Sequence, residues 1–475
     1  LSLYHNLFER GGLSAQNVLA QALTEKMQRT LNRMYLLLGL LYPWRDIAAV
    51  RWTLEHGDPR GRASASEYLD NILTGQVRKR IMPALEDLPR EEKVRRGNVL
   101  LRTRPRDVEE SLLQLINDED EVIAAAAIDL VASEKRWSLA EDIEHVLAHR
   151  DVKDWFVFEA ASWALAERRL SAERRRELWR EPLPAAALAG RLRALPLFAS
   201  VSVDELFRIA GSGRQVRHEP GSVLLQEGIV PGTVHIVLDG RVMVTRQNAA
   251  PLTVTPPFAL GLEEALQGIP STATARAVDL VVTLAVAVDD LKTLVADNTD
   301  LVRGLFVTLT EAWGPGALPV VTPTGAASDF ATFADQGITA VEKVLALQRV
   351  PMFARVDAPD MLALAGAART VPIAAGARLC EASAPPALWI VLSGEITLEG
   401  TADRSAAVVR AGDTIGVGAL LTGRPIGVAA DGARAGVALR LDREDFFDLV
   451  EQRPGMLAPM FVALFKGVAP ERAIA

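Results

Sequence analysis

Two short segments carry the residue types that could hold an anion. The first runs Leu260-Gly261-Leu262-Glu263-Glu264-Ala265-Leu266-Gln267-Gly268-Ile269-Pro270-Ser271-Thr272-Ala273-Thr274. The second runs Ile415-Gly416-Val417-Gly418-Ala419-Leu420-Leu421-Thr422-Gly423-Arg424-Pro425-Ile426. In each, a glycine leads into a short run that a second glycine and a proline close. A helix that starts at such a turn can aim backbone N–H groups at a phosphate. A guanidinium beside it would neutralise the anion, and a carboxylate would accept from a hydroxyl. Glu263 in the first segment and Arg424 in the second are charged groups close to those roles.

Other chemistry-bearing groups read as structural. His145 and His149 share a helical face, as a metal pair would, but no third ligand accompanies them, so solvated histidines are expected. Arg78-Lys79-Arg80, Arg95-Arg96 and Arg174-Arg175-Arg176 could line a phosphate-binding groove. Glu86, Asp87, Glu91, Glu92, Glu173 and Glu177 interleave with them, which favours a salt-bridged exposed face. There is no phosphate-binding Gly-x-x-x-x-Gly-Lys loop, and Gly416-Val417-Gly418 lacks the third glycine of a dinucleotide fingerprint. No Ser-His-Asp or Cys-His arrangement emerges, so no enzymatic activity is expected. Cys380 falls in an expected strand as a small hydrophobe, and Trp44, Trp52, Trp155 and Trp163 fall on apolar helix faces and are expected in the core.

The elements that position the two segments are set by a tandem duplication. Leu195-Pro196-Leu197-Phe198 returns as Val350-Pro351-Met352-Phe353. Gly211, Gly221, Gly261 and Pro270 return as Gly366, Gly376, Gly416 and Pro425, all at an offset of 155. In each copy a short helix leads into β-rich runs: Ser222 to Leu225, Val234 to Leu238 and Arg241 to Thr245, then Arg378 to Cys380, Leu388 to Leu392 and Glu395 to Leu398. Glycines punctuate the turns. Helices at Asp289 to Trp313 and Arg443 to Phe465 close the copies. Gly314 to Gly337, rich in Gly, Pro, Thr and Ala, reads as a linker where proteolysis should cut first.

This pattern of helix, Gly-punctuated strands and Gly-led turn resembles the cyclic-nucleotide-binding domain, a small β-roll flanked by helices. The resemblance implies a phosphate cassette in which a glutamate follows the leading glycine and an arginine follows the proline. Here Leu262 and Ser271 stand at those positions in the first copy, and Val417 and Ile426 in the second. Glu263 is one residue out of register and Arg424 two, so either could serve only if a loop slipped. Hydrogen bonds to charged groups are worth roughly 1.5 to 3 kcal/mol each, and losing both anchors should remove useful affinity. The sites Gly261, Leu262, Glu263, Ser271, Thr272, Gly416, Val417 and Ile426 are therefore expected to be vestigial, with neither cyclic AMP nor cyclic GMP as cofactor.

From residue 1 to about 190 the chain reads as successive helices. Ala65, Tyr68, Leu69, Ile72 and Leu73 recur on one helical face, as do Ala124, Ala127, Ile128 and Val131, and Val157, Ala160, Ala161, Ala164 and Leu165. Asp58, Asp118 and Asp151 precede these stretches as capping residues. Small residues allow close stacking, and the pattern resembles HEAT-like repeats. The expected fold is therefore an α-helical HEAT-like solenoid over 1–190, then two β-roll domains over 191–315 and 339–475, joined by a linker over 316–338.

With 475 residues, 49% of them hydrophobic and 24% charged, the chain is expected to be globular throughout. A net charge of −8 opposes a surface built to neutralise nucleic acid. The single cysteine excludes an intrachain disulfide and points to a reducing compartment. The runs Gln28 to Pro43 and Ala65 to Leu73 resemble the region behind the membrane domain of bacterial ATP/ADP-antiporter-like proteins. That resemblance implies a non-enzymatic regulatory or scaffolding module on the cytoplasmic side of the membrane, excised from a longer chain. Its partners would be proteins, including a preceding transporter-like membrane domain, with no nucleic acid and no membrane insertion by this segment. A genuine cyclic-nucleotide sensor and a nucleic-acid-binding HEAT-like protein are the alternatives.

Overall fold

The helical periodicities of the first part fold as helices, and their small-residue faces turn inward. In the computed structural model, which describes all residues except 57–58, 87, 150–154, 170–181, 248, 315–317, 324–337, 401–405 and 467–475, the chain divides into two compact units. One unit comprises Leu1–Arg191 with Ser202–Gly211, the other Leu192–Val201 with Ser212–Ala475.

The first unit is helical. Ala65 and Leu69 on Pro59–Ile72 are buried, as are Ala124, Ala127, Ile128 and Val131 on Glu121–Ser133 and Val157, Ala160, Ala161 and Ala164 on Trp155–Arg169. The last two helices pack on each other, because alanines at the contact let the backbones approach. Asp120, two residues beyond Asp118, supplies the N-cap of Glu121–Ser133 by accepting from Ile123 N, while Asp118 accepts from Asp120 N. Asp58 and Asp151 lie outside the described residues. Helix Val203–Ser212, which precedes the first roll, is held to this unit. Glu25 accepts from Val203 N at 2.9 Å, Arg29 pairs with Asp204, and Phe156 meets Phe207 edge-on.

The second unit holds both copies of the duplication as antiparallel rolls. The first comprises β1 (Arg214–His218), β2 (Val223–Leu225), β3 (Thr233–Asp239), β4 (Val242–Arg246), β5 (Leu252–Val254), β6 (Phe258–Leu260), β7 (Ala273–Ala277) and β8 (Val281–Ala287). Its sheets are ordered β1-β8-β3-β6 and β2-β7-β4-β5, and Leu225, Val237, Val244, Leu260 and Ala275 fill the space between them. The second copy follows β9 (Val321–Thr322) with β10 (Arg369–Ile373), β11 (Arg378–Cys380), β12 (Ala387–Leu398), β13 (Ala407–Arg410), β14 (Thr414–Ile415) and β15 (Ala430–Asp442). The runs Leu388 to Leu392 and Glu395 to Leu398 are thus one bulged strand. Gly240 and Gly394 occupy the corresponding bend at φ of +89° and +84°. A side chain there would strike the carbonyl of Leu280 or Arg434.

Two elements depart from the sequence expectation. Asp289 to Trp313 is two helices, Val288–Asp297 and Thr299–Trp313, because the Asn298 side chain accepts from Leu301 N and starts a new helix. Within the segment read as a linker, Val321 and Thr322 pair with Ile415 and Thr414 as an extra edge strand of the second roll. The remainder, 324–337, lies outside the described residues.

Candidate functional site

The first cassette begins where β6 ends. Gly261 turns the chain at φ of +75° into the helix Leu262–Gln267, and Gly268 closes it in the same left-handed conformation. The turn and helix start that the Gly261 to Thr274 frame specifies are both present. Leu262, at the glutamate position, is buried. Ser271, at the arginine position, is 3% exposed; its hydroxyl lies 3.1 Å from Glu264 Oε1 and accepts from Ala273 N. Glu264 is itself buried, so a carboxylate occupies the neighbourhood where the resemblance calls for a guanidinium. Glu263 stands half-buried beside it, its Oε1 accepting from Gln267 Nε2. Burial first, and then the adjacent Glu264, push its carboxyl up to about 7, against the pull of Arg246 and Gln267. Thr272 is exposed, and Thr274 Oγ1 accepts from Glu227 N.

The second cassette repeats the backbone and changes the chemistry. Gly416, at φ of +86°, opens the helix Val417–Thr422, and a Cβ at Gly416 would stand 2.5 Å from the Ala387 carbonyl. Val417 is buried, and Ile426 joins Trp389, Ile415, Ala419 and Val428 in the apolar core of the roll. Arg424 is exposed and binds Glu311 at 2.8 Å, at the end of the first roll's terminal helix. Val320 accepts from Gly416 N, so the strand added by β9 reaches the cassette turn. A cavity of about 410 Å³ lies here, between Glu311, Leu318, Val320, Thr422, Arg424 and Ile426.

The two cassettes are tied together by the terminal helices, each of which packs on the Pro-led turn that opens its own roll, Pro196–Phe198 or Pro351–Phe353, and also reaches the other roll. Thr299–Trp313, from the first roll, packs on the cassette helix Val417–Thr422 of the second, and Leu457–Lys466, from the second, packs on Leu262–Gln267 of the first. Phe306 and Phe461, separated by the duplication offset of 155, meet with ring centroids 5.2 Å apart. Contact between equivalent residues marks a local two-fold relation, as in an isologous dimer interface. Arg303 adds an ion pair to Glu444 at 2.8 Å and lies over the Phe447 ring.

Inside the first roll the strands bring together a polar trio absent from the sequence reading. His218 Nε2 and His235 Nδ1 lie 3.0 and 3.3 Å from the Thr283 hydroxyl. Burial, reinforced by His218, lowers the His235 pKa to about 4, so the ring is neutral. At the equivalent registers the second roll carries Ile373, Trp389 and Ala438, all in its apolar core. Only the strand register could reveal this trio, because its members lie far apart in the chain.

The remaining candidates belong to neither cassette. His145 and His149 stack at 4.1 Å, and no group of metal-ligating residues occurs among the described residues. Arg78 pairs with Asp70, Arg95 with Glu92, and Arg96 with Glu92 and Glu86, as expected of a salt-bridged face. Asp87 and the run from Glu173 to Glu177 lie outside the described residues. Cys380 lies on β11, partly buried against the second roll's core. The tryptophans correct the sequence reading: Trp44, Trp52 and Trp155 are exposed, because each falls on the side of its helix away from the packed neighbours. No helix among the described residues is long and apolar enough to cross a membrane.

No family model matches the chain, and no curated protein does either. Among solved structures, it is similar to the regulatory domain of Toxoplasma gondii PKA with cAMP, at 18% identity over 58% of this chain and 95% of that one, with a TM-score of 0.23. It is also similar to the regulatory subunit of a cAMP-independent protein kinase A from Trypanosoma brucei, at 17% identity over 57% and 89%, TM-score 0.27. The N-terminal domain of a transcriptional regulator from Streptomyces coelicolor A3(2) matches at 24% identity over 26% and 88%, TM-score 0.24.

Proposed function

We propose that the two rolls form a non-enzymatic regulatory or scaffolding module in which the cassettes have exchanged cyclic-nucleotide binding for holding one roll to the other. The observation that carries this reading is the occupancy of the arginine positions. Ser271 is buried against the Glu264 carboxylate, and Ile426 is part of an apolar core. A cyclic phosphate entering the first cassette would meet the Glu264 carboxylate and no guanidinium at the arginine position, which is repulsive at short range in a low-dielectric site. In the second it would have to displace packed aliphatic groups. The covering of each cassette helix by the other roll's terminal helix supports the same reading.

The stacked helices of the first unit, with alanines at their contacts, support a HEAT-like arrangement as a protein-docking scaffold. The paired arginines of its exposed face weigh against the nucleic-acid alternative, since their charges are already met by carboxylates. We place the module in a larger bacterial, membrane-anchored, transporter-like protein, on the cytoplasmic side. The test of the cassette reading is calorimetry and thermal shift on the full chain with millimolar cyclic AMP or cyclic GMP. No heat and no shift are expected; a saturable response would restore the sensor reading.

A further inference from the structure

Four of the exposed large apolar side chains of the first unit gather at one end of its longest helix. In the last turns of Val18–Leu41, Tyr35 and Leu38 are buried, while on the other side Leu36, Leu37, Leu40 and Leu41 are 69%, 61%, 81% and 70% exposed. The next helix, Trp44–His56, opens with Trp44, 65% exposed and packed by its Cβ 3.7 Å from the Cβ position of Gly39. The start of this helix therefore stands against the leucine-bearing turn, and the indole is exposed. A soluble surface rarely leaves so many large apolar groups together without a partner.

The charge along this stretch is mostly positive. Between Glu25 and Glu55 the chain carries Lys26, Arg29, Arg33, Arg45 and Arg51 against a single carboxylate, Asp46, although the whole chain is at −8. Asp46 accepts from the Tyr68 hydroxyl, Lys26 binds Asp118, and Arg29 binds Asp204. Arg33 and Arg45 remain exposed beside the leucines, with the Arg45 guanidinium 5.5 Å from the Trp44 ring centroid. Leucines at the tip, an aromatic ring and arginines at the rim are the arrangement of a group that enters the acyl boundary while its cations meet lipid phosphates.

We propose that this hairpin, Leu36 to Arg45, docks the chain onto an anionic lipid bilayer surface. The four leucines enter the outer acyl layer, Trp44 lies at the headgroup level, and Arg33 and Arg45 bind phosphate groups. A bilayer fits better than a protein groove because the leucines are 61–81% exposed at the end of a helix beside exposed arginines, where lipid tails can surround them without shape complementarity and phosphates can meet the cations. The proposal needs neither the cassette reading nor a membrane-spanning domain in front of this segment, and each can fail alone.

The test uses the full chain and sedimentation with extruded vesicles, either of phosphatidylcholine alone or with about a third phosphatidylserine. Binding to the anionic vesicles is expected, about tenfold or more weaker with phosphatidylcholine alone or at high salt. Leu37→Ser with Leu40→Ser, and separately Arg33→Glu with Arg45→Glu, should each lower binding by about tenfold, with circular dichroism unchanged. Should the serine variant fail to fold, the arginine variant decides, since it alters only exposed charges. No binding to anionic vesicles, or binding indifferent to both variants, overturns the proposal. So does self-association in size exclusion that the serine variant abolishes while vesicles bind neither form, which would give the patch to a second copy of this chain.

Discussion

Glu263 and Ser271 show how a site's chemistry turns on single positions while its backbone persists. Because the folded carboxyl of Glu263 is raised to about 7, above the unfolded value of 4.5, the folded state binds the proton more tightly. Stability associated with this group is therefore fully present below about 4.5 and lost as pH rises through about 7. Glu263→Gln should then stabilise the protein at pH 8 by about 1 kcal/mol, allowing for partial solvent screening, and have little effect at pH 4, as read by urea denaturation. The arginine positions should also differ in their tolerance. Ile426→Arg places a guanidinium in an apolar core without a carboxylate at hand and should cost about 3 kcal/mol or more. Ser271→Arg finds Glu264 beside it and should cost clearly less. Equal losses in the two melting curves would mean that Glu264 does not compensate the charge.

At the scale of elements, the terminal helices contribute more than their sequence suggested. Phe306 is fully buried against Phe447 and Phe461, so it belongs simultaneously to its own helix and to the other roll. Phe306→Ala should destabilise the second unit by about 3 to 5 kcal/mol, within the range for large-to-small changes in a packed core. It should also split one denaturation transition into two, as the rolls lose the contact that couples them. A single transition with unchanged slope would argue that the rolls are coupled elsewhere. The β9 strand acts in the same direction, since its pairing with β14 brings the stretch before the second roll up to that roll's cassette turn.

At the scale of the whole second unit, the duplication behaves as a homodimer joined in one chain. Each terminal helix lies on the other roll's cassette helix, and the equivalent Phe306 and Phe461 meet near the local two-fold axis. A joined dimer of this kind does not need its connection once folded, because Phe306 and Phe461 are buried against each other in an apolar contact between the rolls. A protease recognition sequence placed near residue 330 should therefore give two fragments that co-elute in native size exclusion and separate only in denaturant. Fragments that part without denaturant would show that the terminal helices hold less across the two rolls than their packing implies.

What the sequence determined by itself is what local pattern and internal comparison can carry. The helical faces of Ala124, Ala127 and Ile128 were legible because period and small size both act within a few turns of chain. The duplication was legible because Gly261 and Gly416 must occupy a left-handed turn in either copy. The loss of the charged anchors at Leu262, Ser271, Val417 and Ile426 needed only an alignment of the two copies. What tertiary structure alone decided is what depends on distant partners. Glu264 became the companion of Ser271, Glu311 took up Arg424, and His218, His235 and Thr283 met through strand register. Trp44 and Trp52, read as core, stand exposed because an apolar residue is buried only where another element arrives to cover it. The second contact of each terminal helix left no trace in composition or spacing: besides the turn that opens its own roll, Pro196–Phe198 or Pro351–Phe353, each helix meets a surface that only the other copy offers.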